Sequence, residues 1–209
     1  MKRSALIVVG SIALASMVAA CGAGSSSSSA GAPKRTTASS TTGSGVDPNA
    51  AEVNPAGDIP DNQVFVAYTP PSGGFSVKVP EGWARTEAGG AVAFTDKLNS
   101  IRMESLRASS APTVHAAEQN ELPAIRTAAK NFEAGKVSSI TRKAGPVVLL
   151  TYLADSAPDP VTGKVVHDAV ERYEFWKSGT EVVLTLSGPQ GADNVDPWRI
   201  VTDSFGWQA

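Results

Sequence analysis

Apolar side chains in the first half of the folded region recur at every second position, the spacing of strands with one buried face. Val64-Phe-Val-Ala-Tyr68 is apolar and β-branched enough for a strand, and Pro70, Pro71, Gly73 and Gly74 break it. Phe75-Ser-Val-Lys-Val79 alternates strictly, Pro80-Glu-Gly82 turns the chain, and Trp83 is expected to plug the edge of the core. Val92 and Phe94 mark a third strand. Ile101 and Met103 mark a fourth, with Arg102 and Glu104 outward and Thr95–Asn99 as the intervening loop. The spacing then changes to 3.6: Val114, Ala117, Leu122, Ile125, Ala129 and Phe132 share one face of a helix. Thr113 suits its start and Gly135 its end, and Pro123, which lacks a donor, predicts a break near Glu121.

Strands return after the helix. Val137–Thr141 reads as a modest strand, and Val147–Ala154, apolar on both faces, as a central strand covered on two sides. Asp155–Gly163 is rich in turn formers. Val165–Lys177 and Glu181–Ser187 flank Ser178-Gly179, a hairpin signal, with a bulge expected in the poorly alternating first member. Val182, Leu184 and Leu186 share one face of the last strand. Asp196 and Pro197 predict the start of a short helix carrying Ile200, Val201 and Phe205 on its apolar side and stopping at Gly206. Short turns between neighbouring strands imply antiparallel pairing. The expected fold class is α+β, a twisted antiparallel sheet packed with helices.

The amino terminus follows other rules. Lys2 and Arg3 precede an apolar run from Ala5 to Met17, a secretory signal too short for a comfortable membrane span. It ends Val18-Ala19-Ala20-Cys21, an apolar residue, two small ones and the chain's single cysteine. That is the lipobox pattern of bacterial lipoproteins: cleavage between Ala20 and Cys21, and a diacylglycerol on the Cys21 thiol. Further acyl chains of the palmitate class would make the anchoring stable, since one chain binds only marginally. Residues 22–45 are Gly, Ala, Ser and Thr apart from Pro33, Lys34 and Arg35, and no aromatic precedes Phe65. Such a segment cannot bury enough apolar surface to order itself. The division expected is a signal peptide over 1–20, a lipidated and disordered tether over 21–57, and one domain over 58–209. The tether spans ~35 Å on random-coil scaling. Thr36, Thr37, Thr41 and Thr42 are acceptors for O-linked sugar in a host that adds it, and otherwise part of a bare linker. These readings place the protein on the extracytoplasmic face of the cell membrane.

Charge and residue chemistry narrow the function. The formal net charge is −2, and loss of Lys2 and Arg3 makes it two units more negative. With no basic stripe, nucleic-acid binding is not expected, and no polybasic patch adds to the lipid anchor. The two histidines, His115 beside Glu118 and His167 beside Asp168 with Glu171 beyond, lack metal-ligand spacing. No Gly-x-Ser-x-Gly or Ser-x-x-Lys occurs, and Thr162-Gly163-Lys164 has Pro158 where a phosphate loop needs glycine. Asp155 and Asp159 have the oxygen chemistry of a loose calcium site without further regular ligands. No catalytic residue, metal or cofactor is therefore assigned. Asp168, Glu171, Arg172, Glu174 and Trp176 form a charged run on one strand, either a wet sheet face or a partner patch with Tyr173 and Phe175 as aromatic anchors.

Two stretches carry a family resemblance. Gly74-Phe-Ser-Val-Lys-Val-Pro-Glu-Gly-Trp83 resembles the early hairpin of PsbP/Mog1-like domains, and Trp198-Arg-Ile-Val-Thr-Asp-Ser-Phe205 resembles their closing helix. With the lipobox and tether, the chain is similar to actinobacterial, mycobacterial-type envelope lipoproteins with such a domain. The resemblance covers about residues 64–207 and implies binding rather than catalysis, since members are accessory subunits or regulators docking on larger proteins. Three functions follow: a membrane-anchored accessory module for another cell-envelope protein; a carrier of a lipid or other hydrophobic small molecule in a cleft gated at Pro123; and, third, a hydrolase built around His167 and two carboxylates. Metabolic labelling with an alkynyl fatty acid is expected to tag the chain, and Cys21→Ser to abolish the tag. Label persisting in the variant, or absent from the parent, removes the lipid anchor.

Overall fold

Alternation becomes strand wherever one face meets the core. The computed structural model describes residues 56–208; the signal peptide over 1–20 with its cleavage site at Ala20 and Cys21, and the 21–57 tether as far as residue 55, lie outside the described residues. β1 (Phe65–Tyr68) pairs antiparallel with β2 (Phe75–Pro80), which buries Phe75, Val77 and Val79. Trp83 is half-buried against the same core, as its position after the turn predicts. β3 (Ala84–Ala88), β4 (Ala91–Asp96) and β5 (Asn99–Arg107) form a meander. β3 was not foreseen. All five of its residues are exposed, so it carries no apolar alternation and is held by backbone pairing with β4.

The helical segment breaks where Pro123 predicts, though not as a simple kink. α1 (Val114–Ala116) passes through a π-helical turn (Ala117–Glu121) into α2 (Leu122–Ala128). Thr113 Oγ1 caps the start by accepting from Ala116 N at 3.1 Å. The helix ends before Gly135, because Ala129 is already extended. Gly135 instead lies in β6 (Glu133–Arg142), at the bulge between Ala134 and Val137.

β7 (Gly145–Asp155), β8 (His167–Lys177) and β9 (Thr180–Pro189) complete a seven-stranded antiparallel sheet in the order β3-β4-β5-β9-β8-β7-β6. β7 is covered on both faces, with Val147 in the main core and Val148 and Leu150 under the helix, but it is next to the edge and β9 is central. Ser178 and Gly179 both take positive φ, 49° and 86°, as a two-residue hairpin turn requires. β8 holds unbroken register with both neighbours, so the bulge expected there belongs to β6. Its weak alternation has another cause: Tyr173, Glu174 and Phe175 are buried in succession because both faces of β8 are covered.

α3 (Val195–Ser204) and β10 (Gly206–Trp207) close the chain, and β10 pairs with β2 to give a second sheet, β1-β2-β10. Trp198, Val201 and Phe205 are buried, whereas Ile200, placed on the apolar side by sequence, is exposed. Phe205 stacks between Phe175 of the large sheet, at 4.0 Å between centroids, and Phe75 of the small one, at 5.4 Å. The small sheet and α3 thus cover one face of the large sheet. The broken helix covers part of the other, where Ala117, Val148 and Leu150 are buried with Leu122, Ile125 and Val137 against them. No helix among the described residues is long and apolar enough to cross a membrane.

α3 starts one residue before Asp196, and its capping position is Asn194, whose side chain is engaged elsewhere. Asn194 Oδ1 accepts from Ile59 N at 2.8 Å, and its Nδ2 donates to Gly57 O and to Asn99 Oδ1 at 3.0 and 2.9 Å. Asn99 Nδ2 donates to the same Gly57 carbonyl at 2.9 Å. A Cβ on Gly188 would overlap both amides, which explains glycine there. The amide pair clamps the entry of the chain onto the end of the sheet. Asn194→Ala leaves buried partners unpaired and is expected to cost about 2–3 kcal/mol in urea unfolding. A loss below about 0.5 kcal/mol would contradict the clamp.

Candidate functional site

β8 carries the charged run, and the register divides it. Asp168, Arg172, Glu174 and Trp176 lie on the helix side of the sheet, whereas Glu171 lies on the opposite side with Tyr173 and Phe175. Nor is the run a wet face. Asp168 is 6% exposed and Glu174 fully buried. The expected single patch is corrected accordingly, because β8 is an inner strand with both faces covered.

Arg172 anchors the helix-side group. Its Nη2 donates to Glu121 Oε2 at 3.2 Å, its Nε to Glu174 Oε1 at 3.1 Å, and its Nη1 lies 3.9 Å from Glu104 Oε1. Glu104 also pairs with Arg102 at 2.8 Å, which holds its carboxyl below the usual range. Glu121 ends the π-helical turn, so that turn delivers a carboxylate onto the guanidinium. Glu174 Oε2 meets no donor. Burial, and then the hydrogen bond to Glu121 and its charge, push the Glu174 carboxyl up to about 9. Glu174 therefore keeps its proton at neutral pH. Burial also raises Glu181 nearby. Trp176 Nε1 donates to Ala108 O at 2.9 Å. Sequence reasoning missed the contributions of Glu104, Glu121 and Glu181, which come from three other elements; the outward pairing of Arg102 with Glu104 was the available signal.

On the opposite side, Tyr173 Oη donates to Glu171 Oε2 and accepts from Arg142 Nη2 at 3.1 Å. His167 does not use Asp168 or Glu171. Its Nδ1 is 3.0 Å from Asp155 Oδ1, and its Nε2 is 3.9 Å from Glu133 Oε1. Asp155 also accepts from Asn131 Nδ2 at 2.6 Å. Asp159 is occupied elsewhere, its Oδ1 accepting from Val161 N, Thr162 N and Thr162 Oγ1, so the two aspartates do not converge. His115 is exposed on α1. No group of three or more potential metal ligands occurs among the described residues.

Asp168 opens on a different feature. A cleft of about 690 Å³ lies between the β4–β5 turn and the loop over 156–166. Asp168 and the hydrogen-bonded Ser100–Ser187 pair line it, and Lys97 and Lys164 stand on its two walls. Burial raises the Asp168 carboxyl to about 6. The place expected to open for an apolar ligand, beneath the broken helix, is filled by the packing of Leu150, Leu122 and Ile125.

No protein-family model matches the sequence, and no curated protein aligns with it at a significant level. Solved structures do resemble it. Cyanobacterial PsbP (CyanoP) from Synechocystis superposes with a TM-score of 0.51 at 15% identity, over 76% of this chain and 97% of that one. The Ran-binding protein Mog1p of Saccharomyces cerevisiae gives 0.48 at 10%, over 69% and 95%. LpqN, involved in cell envelope biogenesis of Mycobacterium tuberculosis, gives 0.39 at 14%, over 71% and 87%. The chain also spans about half, 48%, of a Bacteroides thetaiotaomicron protein that it resembles. The likeness to CyanoP, together with the element order, assigns the PsbP/Mog1-like fold.

The carboxyl pair has a measurable consequence. A free glutamate loses its proton near 4.5, and Glu174 only near 9. Between these values the folded state holds one more proton than the unfolded state, so stability falls as pH rises and levels off above the window. Asp168, raised from 3.8 to about 6, adds a slope of the same sign at the acid end. Glu174→Gln keeps an acceptor for Arg172 Nε and carries no titrating proton. It is expected to flatten the fall in thermal midpoint between about pH 6 and pH 9 and to be the more stable protein at the alkaline end. An unchanged slope would show that Glu174 titrates normally.

Proposed function

We propose that this protein is a lipoprotein, anchored through diacylglycerol on Cys21 at the extracytoplasmic face of the membrane, whose domain is a non-catalytic accessory module docking on another cell-envelope protein. The observation that carries this reading is the loop over 156–166. Ser156 N donates to Val166 O at 2.7 Å, Asp159 N to Lys164 O at 2.9 Å, and Gly163 N to Asp159 O at 2.8 Å. The Asp159 carboxylate caps the turn within, which holds its own pKa down. At the tip of this pinned loop Val161 is 90% exposed, and Val165 is 45% exposed. A rigid loop holding apolar side chains in water has already met the ordering cost of binding. Contact with a partner then returns the apolar burial directly.

The internal accounting of charge supports the same reading. Arg172, His167, Asp155 and Asp159 all have partners within the domain, which suits a scaffold better than a reaction centre. A photo-crosslinking residue at position 161, in cells making the full-length chain, is expected to give one discrete heavier adduct at the membrane. Val161→Asp, combined with a crosslinker at 165, is expected to lose it. No reproducible adduct from either position, with the chain present in the membrane fraction, would sink the docking reading.

A further inference from the structure

Asp168 is the charge that the domain leaves unanswered. It is 6% exposed, its Oδ1 has no partner, and among the described residues no lysine or arginine lies within ion-pair distance of it. Its charged neighbours are His167 and Asp155, and those two engage one another on the far side of the sheet. A buried carboxylate without a cation is costly unless something else compensates it. The small remaining exposure of Asp168 opens into the cleft behind the loop over 156–166.

Two lysines face the same cleft without meeting Asp168. Lys164 stands on the pinned loop. Lys97 sits in the β4–β5 turn with φ at 51°, a left-handed conformation that lysine seldom adopts. It makes one distant ion pair, 3.9 Å to Asp96, and its side chain is 74% exposed. The cleft has Asp168 on its floor and the two lysines at its rim; Asp159 also lines it, with its Oδ1 taken up by Val161 N, Thr162 N and Thr162 Oγ1. Leu98, Pro158 and Val166 supply apolar surface between the two. Its volume, about 690 Å³, falls in the range of small-molecule sites.

We infer that this cleft binds a small zwitterion, a primary ammonium a few bonds from a carboxylate or phosphate, with the ammonium on Asp168 and the anionic group between Lys97 and Lys164. A lone cation would be repelled by the two lysines, and a lone anion would leave the Asp168 charge unrelieved. A molecule carrying both groups satisfies the floor and the rim together. Two sources share this chemistry, free amino acids and phosphoethanolamine. The inference does not rest on the docking reading, because Val161 and Val165 are not part of the cleft wall.

Calorimetric titration of the full-length chain with glycine, O-phosphoethanolamine, ethanolamine and inorganic phosphate tests it. At least one zwitterion is expected to bind about tenfold or more tightly than ethanolamine or phosphate alone. Preference for glycine or for O-phosphoethanolamine identifies the anionic group. Asp168→Asn is expected to lose that advantage while leaving any phosphate binding in place. The double variant Lys97→Ala, Lys164→Ala, on the exposed rim, is expected to weaken both and serves if Asp168→Asn fails to fold. Three results would each overturn the inference: no saturable zwitterion binding up to about 10 mM; phosphate binding as tightly as O-phosphoethanolamine and glycine; or full zwitterion affinity in a folded Asp168→Asn or in the lysine double variant.

Discussion

Phe205 stacks on Phe175 on one side and on Phe75 on the other. These three rings come from the large sheet, the small sheet and the residue that ends α3, so one contact fixes three elements. Phe205 has almost no remaining solvent exposure, and truncating a side chain buried in this way typically costs about 3–5 kcal/mol. Once the stack forms, the small sheet and α3 can occupy only one face of the seven-stranded sheet. The broken helix takes part of the other. Every residue of β8 beneath that helix then faces an interior, whatever its charge.

That geometry explains how Arg172 is used. Covered on both faces, the strand places one guanidinium among Glu104, Glu121 and Glu174. With Glu104 held mainly by Arg102, the Arg172 charge is shared between Glu121 and Glu174, and the more buried of these keeps its proton. The π-helical turn supports the arrangement, because an extra residue in that turn brings Glu121 over the strand. Pro123 just beyond it lacks the donor that would favour an undisturbed helix. Asp168 lies on the same face past the end of the helix, and there no guanidinium reaches it.

The sheet was largely legible in the sequence where burial is one-sided. Phe75, Val77 and Val79, or Ile101 and Met103, alternate because one face meets the core and the other meets something more polar. Thr113, Pro123 and Ser178-Gly179 marked an end, a break and a turn through local backbone chemistry, which needs no tertiary context. β3 was illegible because an exposed edge strand has no face to encode. The β8 run misled for the opposite reason: Tyr173, Glu174 and Phe175 are all interior, so polarity ceased to report exposure. Nothing in a run of Asp, Glu and Arg says which carboxylate is paired from a distant helix. The cleft was equally hidden, since Lys97, Lys164 and Asp168 are brought together only by the pairing of β5 with β9 and β8 with β9.

The amide clamp at Gly57 also has a mechanical side. The first described residues pass from Gly57 and Ile59 into β1, and four hydrogen bonds among Gly57, Ile59, Asn99 and Asn194 hold that entry. A pull arriving along the chain from the amino terminus loads these bonds before it reaches β1. Asn99 belongs to β5 and Asn194 adjoins α3, so the load spreads into two elements far apart in sequence. It does not peel β1 from β2 one pair at a time. The amides stand to the sheet as a cleat stands to a deck, letting the line be tugged without lifting the planking.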